Sequence, residues 1–240
     1  MTRSALVWFR RDLRCDDHAA LYYALRRLER VYCAFIFDTG ILDALPARSD
    51  RRVEFIHASV LALHEGLRQL AARSGAAGGG LIVRHGPALE CIVQLARHLG
   101  VQEVLANRDD EPQAIERDQG VTEALSAVGI AFTDYKDQVL LERGEVLTQQ
   151  GQPYSVFTPY RQAWLKRLDA FQLKPYPVER YARNLAPPAA NEHLPKLADL
   201  GFTATNLGVL PLPVGMQGAQ QLLRDFLPRM ATYKQARDFP

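Results

Sequence analysis

The chain has 240 residues, enough to bury a sizeable core as one large domain or as one domain with a tail. Hydrophobic residues make up 48% and charged residues 23%, an ordinary globular composition, and a net charge of +2 gives no strong electrostatic case for nucleic acid. The scattered Cys15, Cys33 and Cys91 form neither a disulfide framework nor a metal-ligand set, and no stretch resembles a membrane span or a signal peptide, so a monomeric protein of the reducing cytoplasm, away from membranes, is expected.

Ala5-Leu6-Val7-Trp8-Phe9 reads as a buried strand that breaks into a charged turn, Arg10 to Arg14. A helix should follow, with Asp16 or Asp17 as its N-cap. Val31 to Asp38 is a second strand, and Thr39 to Ser49 a loop broken by Pro46. From Asp50 as N-cap, Val53, Ile56, Val60, Leu63, Leu67 and Leu70 follow helical spacing. His57 and His64 then lie on the surface of that helix, and Gly75 to Gly80 is a linker out of it. Leu81 to Arg84 is a third strand, Ala88 to His98 a helix, and Glu103 to Asn107 a fourth strand. Pro112 opens a further helix that stops at Gly129, and Ile130 to Asp134 is a fifth strand. Val139 to Tyr154 reads as a strand pair turned at Gln150-Gly151, and Thr158-Pro159-Tyr160 as the start of a helix to Leu168. Phe171 to Pro213 is a proline-rich, extended connector, and Gln217 to Met230 a last amphipathic helix exposing Leu222, Leu223, Phe226 and Leu227.

Five β-α alternations with short loops predict an α/β fold: a Rossmann-like, doubly wound, five-stranded parallel sheet, then an extended connector and a terminal helix. Residues 1–135 are the expected core, 136–170 the remainder of the domain, and 171–240 the connector and last helix. No G-x-G-x-x-G, P-loop, G-x-S-x-G or zinc-spaced histidine pair is present, which argues against dehydrogenase, phosphate-loop, serine hydrolase and zinc protease chemistry.

In open α/β sheets ligands bind at the carboxyl ends of the strands. Those ends carry Phe9 to Asp12, Phe37 and Asp38, and Asn107 to Glu111, with Arg51 and Arg52 at a helix start. Such a mixture suits a planar polar ligand. It holds no activated nucleophile or tuned acid–base pair, so a binder is expected, with no residue given a catalytic role. The charges would equally serve as a self-paired turn and a dipole-favoured helix start.

The stretch WFRRDLRCDDHAAL resembles the opening of the DNA photolyase/cryptochrome family, W-F-R-R-D-L-R-x-x-D-N-x-A-L, with Cys15 and His18 as departures. Val31 to Asp38 with Ile41-Leu42 and Asp50 to Ile56, Asn107 to Pro112 with Glu116-Arg117-Asp118, Gly151 to Tyr160 with Trp164 to Leu168, and Tyr233 to Pro240 are similar to later family segments. The resemblance implies an N-terminal antenna domain that passes excitation to FAD. FAD, and the cavity for a flipped pyrimidine dimer in damaged DNA, are expected only in a C-terminal helical partner domain, so no repair is expected of this chain alone. Folate-type members carry an Asn-Glu pair where Gln113 and Ala114 stand, so the resemblance favours a deazaflavin-type antenna pigment over methenyltetrahydrofolate. By that match Arg52, Asn107, Asp109 and Glu111 would hold the pigment, with Phe37 and Asp38 lining its pocket. A cryptochrome-like signalling module without pigment, and a generic nucleotide- or small-molecule-binding α/β domain, stand as alternatives.

Overall fold

A computed structural model describes residues 3–189 and 192–237. The α/β part runs β1 (Ser4–Phe9), α1 (Ala19–Arg27), β2 (Arg30–Asp38), α2 (Thr39–Leu42), α3 (Arg51–Arg73), β3 (Ile82–Gly86), α4 (Ala88–Leu99), β4 (Glu103–Asn107), α5 (Pro112–Ser126) and β5 (Ala131–Tyr135). The rest holds α6 (Phe157–Arg167), α7 (Gly215–Phe226) and α8 (Tyr233–Ala236), with short 3-10 turns between. The expected resemblance of Tyr233 to Pro240 runs past the described residues at Asp238, Phe239 and Pro240.

All five strands are parallel, in the order β3-β2-β1-β4-β5. The central strand is buried on both faces, which is why its sequence is an unbroken apolar run. Its alternate residues feed separate cores. Ala5, Val7 and Phe9 pack with α1 and α3, whereas Leu6 and Trp8 pack with α4 and α5. Side chains of the Leu67 or Leu125 type, fully buried here, each contribute about 1.5–3 kcal/mol.

Asp50 caps α3 by accepting the Arg52 N–H, and Val53, Val60, Leu63, Leu67 and Leu70 form its buried stripe. Ile56 is exposed, off that stripe. Gly79, in the exit loop, approaches α3 so closely that a Cβ there would sit 2.6 Å from the Leu67 carbonyl oxygen.

The connector is irregular, as expected, but it also supplies core. Val178, Ala182, Leu185, Leu200 and Phe202 are buried in the α1–α3 cluster. Leu185 bridges Val31 in parallel, and the Ala186 N–H donates to the Val31 carbonyl at 2.9 Å. This covers the start of β2, whose pairing with β3 begins only at Ala34.

Four local expectations are corrected. The N-cap of α1 is His18, not Asp16 or Asp17, because its Nδ1 accepts the Leu21 N–H. Asp17 instead takes a positive φ of 46° and accepts the Tyr176 N–H. The loop after β2 begins with the short helix α2, capped by Asp38. Residues 139–154 form turns rather than a strand pair, with Leu141 and Val146 buried as single anchors. The last amphipathic helix ends at Phe226 and passes into a 3-10 turn, Leu227–Thr232. Leu222 and Leu223 on the helix and Leu227 at the start of the turn are exposed as expected, while Phe226 is half-buried.

Candidate functional site

In this strand order the chain reverses direction between β1 and β4, so the carboxyl ends of those strands open the crevice where α/β sheets bind ligands. Strand β1 delivers the Arg10–Arg14 turn there, and β4 delivers Asn107 to Glu111.

The floor of the crevice is a buried polar network. Asn107 Nδ2 donates to Asp12 Oδ2 at 2.7 Å, and Asn107 Oδ1 accepts the Ala20 N–H at 2.8 Å. Since His18 Nδ1 accepts from the backbone, its ring proton sits on Nε2 and donates to Asp12 Oδ2 at 2.9 Å. The Arg10 N–H closes the turn on Asp12 Oδ1 at 2.7 Å. Burial pushes the Asp12 carboxyl up, but His18 and the Arg10 amide outweigh it and hold Asp12 well below the usual carboxylate range.

On the α4–α5 side, Arg10 and Arg117 each place a guanidinium 5.1 Å from the Trp8 ring centroid. Arg10 is held by Asp118 at 2.5 Å and by the Asn107 carbonyl. Arg117 has no such fork. Its Nε is buried with no hydrogen-bond partner, 3.5 Å from Asp118 Oδ1. Burial lowers the Arg117 pKa, and the charge of Arg10 lowers it further.

On the open side, Arg11 spans Asp109, at 3.0 Å, and Glu111. Its hydrogen bond to Glu111 raises its pKa. Asp109 is buried and also accepts the Glu111 N–H at 3.1 Å, while Glu111 is exposed. Beside them a cleft of about 350 Å³ is lined by Asp109, Asp118, Asp134, Arg108 and Arg143, with Phe132 and Ile115 as apolar wall.

The sequence-derived candidates therefore fall into separate groups. Asn107, Asp109 and Glu111 come together with Arg11 and Asp12. Asp38 lies at the neighbouring strand end, where its carboxylate accepts the Gly40 and Ala88 N–H groups at 3.0 and 3.2 Å. Phe37 is buried against Phe35 and His57. Arg52 is exposed and pairs with its own N-cap, Asp50, at 2.6 Å. Arg11 fell within the strand-end set Phe9 to Asp12, whereas His18 entered only as a departure from the family pattern and Arg117-Asp118 only as part of a family-like segment, without a site role. The signal for Arg117-Asp118 was a charged pair on a helix beside a strand-end turn, which ordinarily marks only a solvated face.

His57 and His64 do more than decorate α3. His57 Nε2 lies 2.8 Å from the Pro195 carbonyl oxygen, and His64 Nδ1 accepts the Leu81 N–H at 3.0 Å. Among the described residues no group of three or more His, Cys, Asp or Glu could hold a metal, and no helix is long and apolar enough to cross a membrane.

The sequence profile of the DNA photolyase family matches residues 5–180. An uncharacterized 31.6 kDa protein from the atpI 5' region of Synechococcus sp. (strain PCC 6716) is 34% identical, over 98% of this chain and 79% of its own length. A deoxyribodipyrimidine photo-lyase of another Synechococcus strain (ATCC 27144) is 32% identical over 100% of this chain and 49% of its own. The crystal structure of a class III photolyase from Agrobacterium tumefaciens superposes with a TM-score of 0.81 at 26% identity, over 100% of this chain and 48% of that one. The chain thus spans about half the length of the photolyases it matches. The crystal structure of an archaeal photolyase from Sulfolobus tokodaii, described with two FAD molecules, shares the fold with a TM-score of 0.67 at 24% identity, over 88% of this chain and 44% of that one. With the opening turn, the sheet order and the family profile in agreement over most of its length, the chain belongs to the DNA photolyase family.

Proposed function

We propose that this chain is the light-harvesting, N-terminal half of a cytoplasmic deoxyribodipyrimidine photolyase, and that it binds an antenna pigment of the deazaflavin type at the carboxyl ends of its strands. The observation that carries the reading is the Asp109–Arg11–Glu111 cluster at the crevice between β1 and β4. The donor set fits a planar heterocycle with carbonyl and N–H edges. Asp109 and Glu111 offer acceptors, and the buried Arg117 Nε–H has no acceptor of its own. Asn107 fixes the loop that carries the acids. Asp38, Arg52 and Phe37, which lie in groups of their own, are the further candidates that the family resemblance offers for the same pigment.

A pigment held there would absorb light and pass the excitation to a flavin. The chain's own residues bind and orient it: the acids set its edge, Trp8 with its two guanidiniums stiffens the wall beside it, and the Asp12–His18–Asn107 network keeps the floor rigid and dry. The FAD, the flipped dimer in damaged DNA and the bond cleavage belong to a C-terminal helical domain, so the chain alone harvests without repairing.

The test is the absorption spectrum after incubation with a deazaflavin or, separately, a methenyl-folate, followed by desalting. A deazaflavin band retained by the protein and lost in Asp109→Ala/Glu111→Ala is expected. Retention of methenyl-folate alone would replace the pigment assignment, and retention of neither by the chain joined to a helical photolyase domain would remove the antenna role.

A further inference from the structure

The net charge of +2 hides a strong local bias. Residues 157–183 hold six cations, Arg161, Lys166, Arg167, Lys174, Arg180 and Arg183, against two carboxylates, Asp169 and Glu179. The same segment holds six aromatics, Phe157, Tyr160, Trp164, Phe171, Tyr176 and Tyr181, in a chain that averages 9%.

Packing accounts for only part of this composition: Tyr160, Trp164, Tyr176 and Tyr181 are half-buried, Tyr160 against Tyr154 and the last two against Tyr22, while the cations and the other two rings are exposed. Helix α6 buries none of its 11 residues. Phe157 is 72% exposed and Phe171 77%. All six cations are exposed, and none makes an ion pair among the described residues, although arginines elsewhere, such as Arg10, Arg84 and Arg108, are paired off. Arg167 comes near one carboxylate, Glu145. Further along, Arg180 lies over the Tyr181 ring at 5.7 Å, and Tyr176 and Tyr181 sit against Tyr22.

The pattern on α6 identifies the partner. Phe157, Arg161 and Leu165 follow one another at i, i+4 and i+8, and Tyr160, Trp164 and Arg167 run beside them. Phe157, Arg161 and Leu165 thus form an exposed stripe that mixes ring and cation, with the half-buried Tyr160 and Trp164 on one side of it and Lys166 across the helix. A helix lying on a lipid surface keeps its apolar and charged residues on opposite faces. Interleaved rings and cations instead match a strand of phosphates with bases between them, where guanidinium and ammonium groups neutralise the backbone and rings stack on bases without regard to sequence.

We propose that α6 and the following residues to Arg183 form a track for single-stranded nucleic acid, independent of lesion recognition and of any flavin. The proposal does not rest on the antenna reading, since pigment retention and oligonucleotide binding are measured separately and fail separately.

The test is titration of the 240-residue chain with a fluorescein-labelled thymidine oligomer of about 12 nucleotides, followed by anisotropy and by tryptophan fluorescence. Trp8 is 2% exposed, so quenching reports on Trp164, the other tryptophan. Binding should weaken with salt between about 50 and 200 mM, with quenching. Arg161→Ala/Lys166→Ala/Arg167→Ala should cost roughly tenfold or more in affinity and flatten the log–log salt slope by about 2, at about 0.7 per lost phosphate contact. Phe157→Ala should weaken binding and leave the slope alone. Equal affinity and slope in the triple variant, or binding to anionic lipid vesicles without binding to the oligomer, would overturn the track. These side chains are exposed, so circular dichroism should show an unchanged fold.

Discussion

Asn107 and Asp12, both buried and coming from the ends of neighbouring strands, are joined by a 2.7 Å hydrogen bond that also fixes the start of α1 through the Ala20 amide. Replacing Asn107 with Leu would leave the buried Ala20 N–H without its acceptor and Asp12 Oδ2 with His18 as its remaining donor. A buried unsatisfied group costs about 1–3 kcal/mol. Asn107→Leu should therefore lose about 1–3 kcal/mol of unfolding free energy in urea, at unchanged m-value. An unchanged midpoint would show that the network carries no stability.

The acid limb of stability should bear the mark of Asp12. Its carboxyl titrates below the usual range in the folded protein, so the unfolded chain binds the proton first as pH falls. The contribution is complete above about pH 4 and is lost as pH falls through and below that value. Asp134, Glu145 and Glu192, held low chiefly by Arg108, Lys136 and Arg84, act in the same direction. Urea midpoints measured from neutral pH to about pH 3 should fall steeply at the acid end, and less steeply in Asp12→Asn. The same slope in both proteins would assign acid sensitivity to the surface pairs.

Gly79 should not tolerate alanine. The added methyl would meet the Leu67 carbonyl oxygen at 2.6 Å and Ala71 Cβ at 2.7 Å, both on a helix that cannot yield locally. A cost of about 1–3 kcal/mol is expected from thermal or urea unfolding. Gly75, with nothing within 4 Å of a Cβ but a φ of +67°, should pay only the smaller cost of the left-handed backbone on the same change.

Arg84 and Glu192 form a two-pronged pair at 2.6 Å that ties β3 to the connector. The pair is partly exposed, so its contribution to global stability is discounted to about 1 kcal/mol. Its loss should instead appear locally. Glu192→Gln should speed protease cleavage within residues 192–196, with little change in Tm. Equal cleavage rates would show that His57, through Pro195, holds the strap by itself.

The alternation of strands and helices was legible because each element obeys its own period: β1 as an apolar run, α3 as the Val53–Leu70 stripe behind the Asp50 cap. Residues 139–154 were not. Val139-Leu140-Leu141 and Val146-Leu147 carry strand-like composition, yet Arg108–Glu142 and Lys136–Glu145 pairs pin them as turns beside β5. The acids at the end of β4 could be found because the fold places strand ends at the crevice, and the family resemblance pointed to the same loop. His18 could not be found as a cap, since histidine seldom takes that place and does so here because Asp12 fixes its ring. Arg117 was likewise hidden, for nothing in its neighbours' sequence says that its Nε lies buried over Trp8.

The parallel bridge between Val31 and Leu185 bears on how the molecule is made. All five strands precede the segment that covers the open side of early β2, so during synthesis the nascent sheet waits with that backbone uncovered while the rest of the chain is translated. Contacts so distant in sequence form late and slow the final step. In that interval Val31 presents a bare carbonyl to any extended peptide nearby. The connector thus acts as a late-arriving seal on the sheet, and a ribosome stalled before Leu185 would hold a complete set of strands that is still prone to pair with the wrong chain.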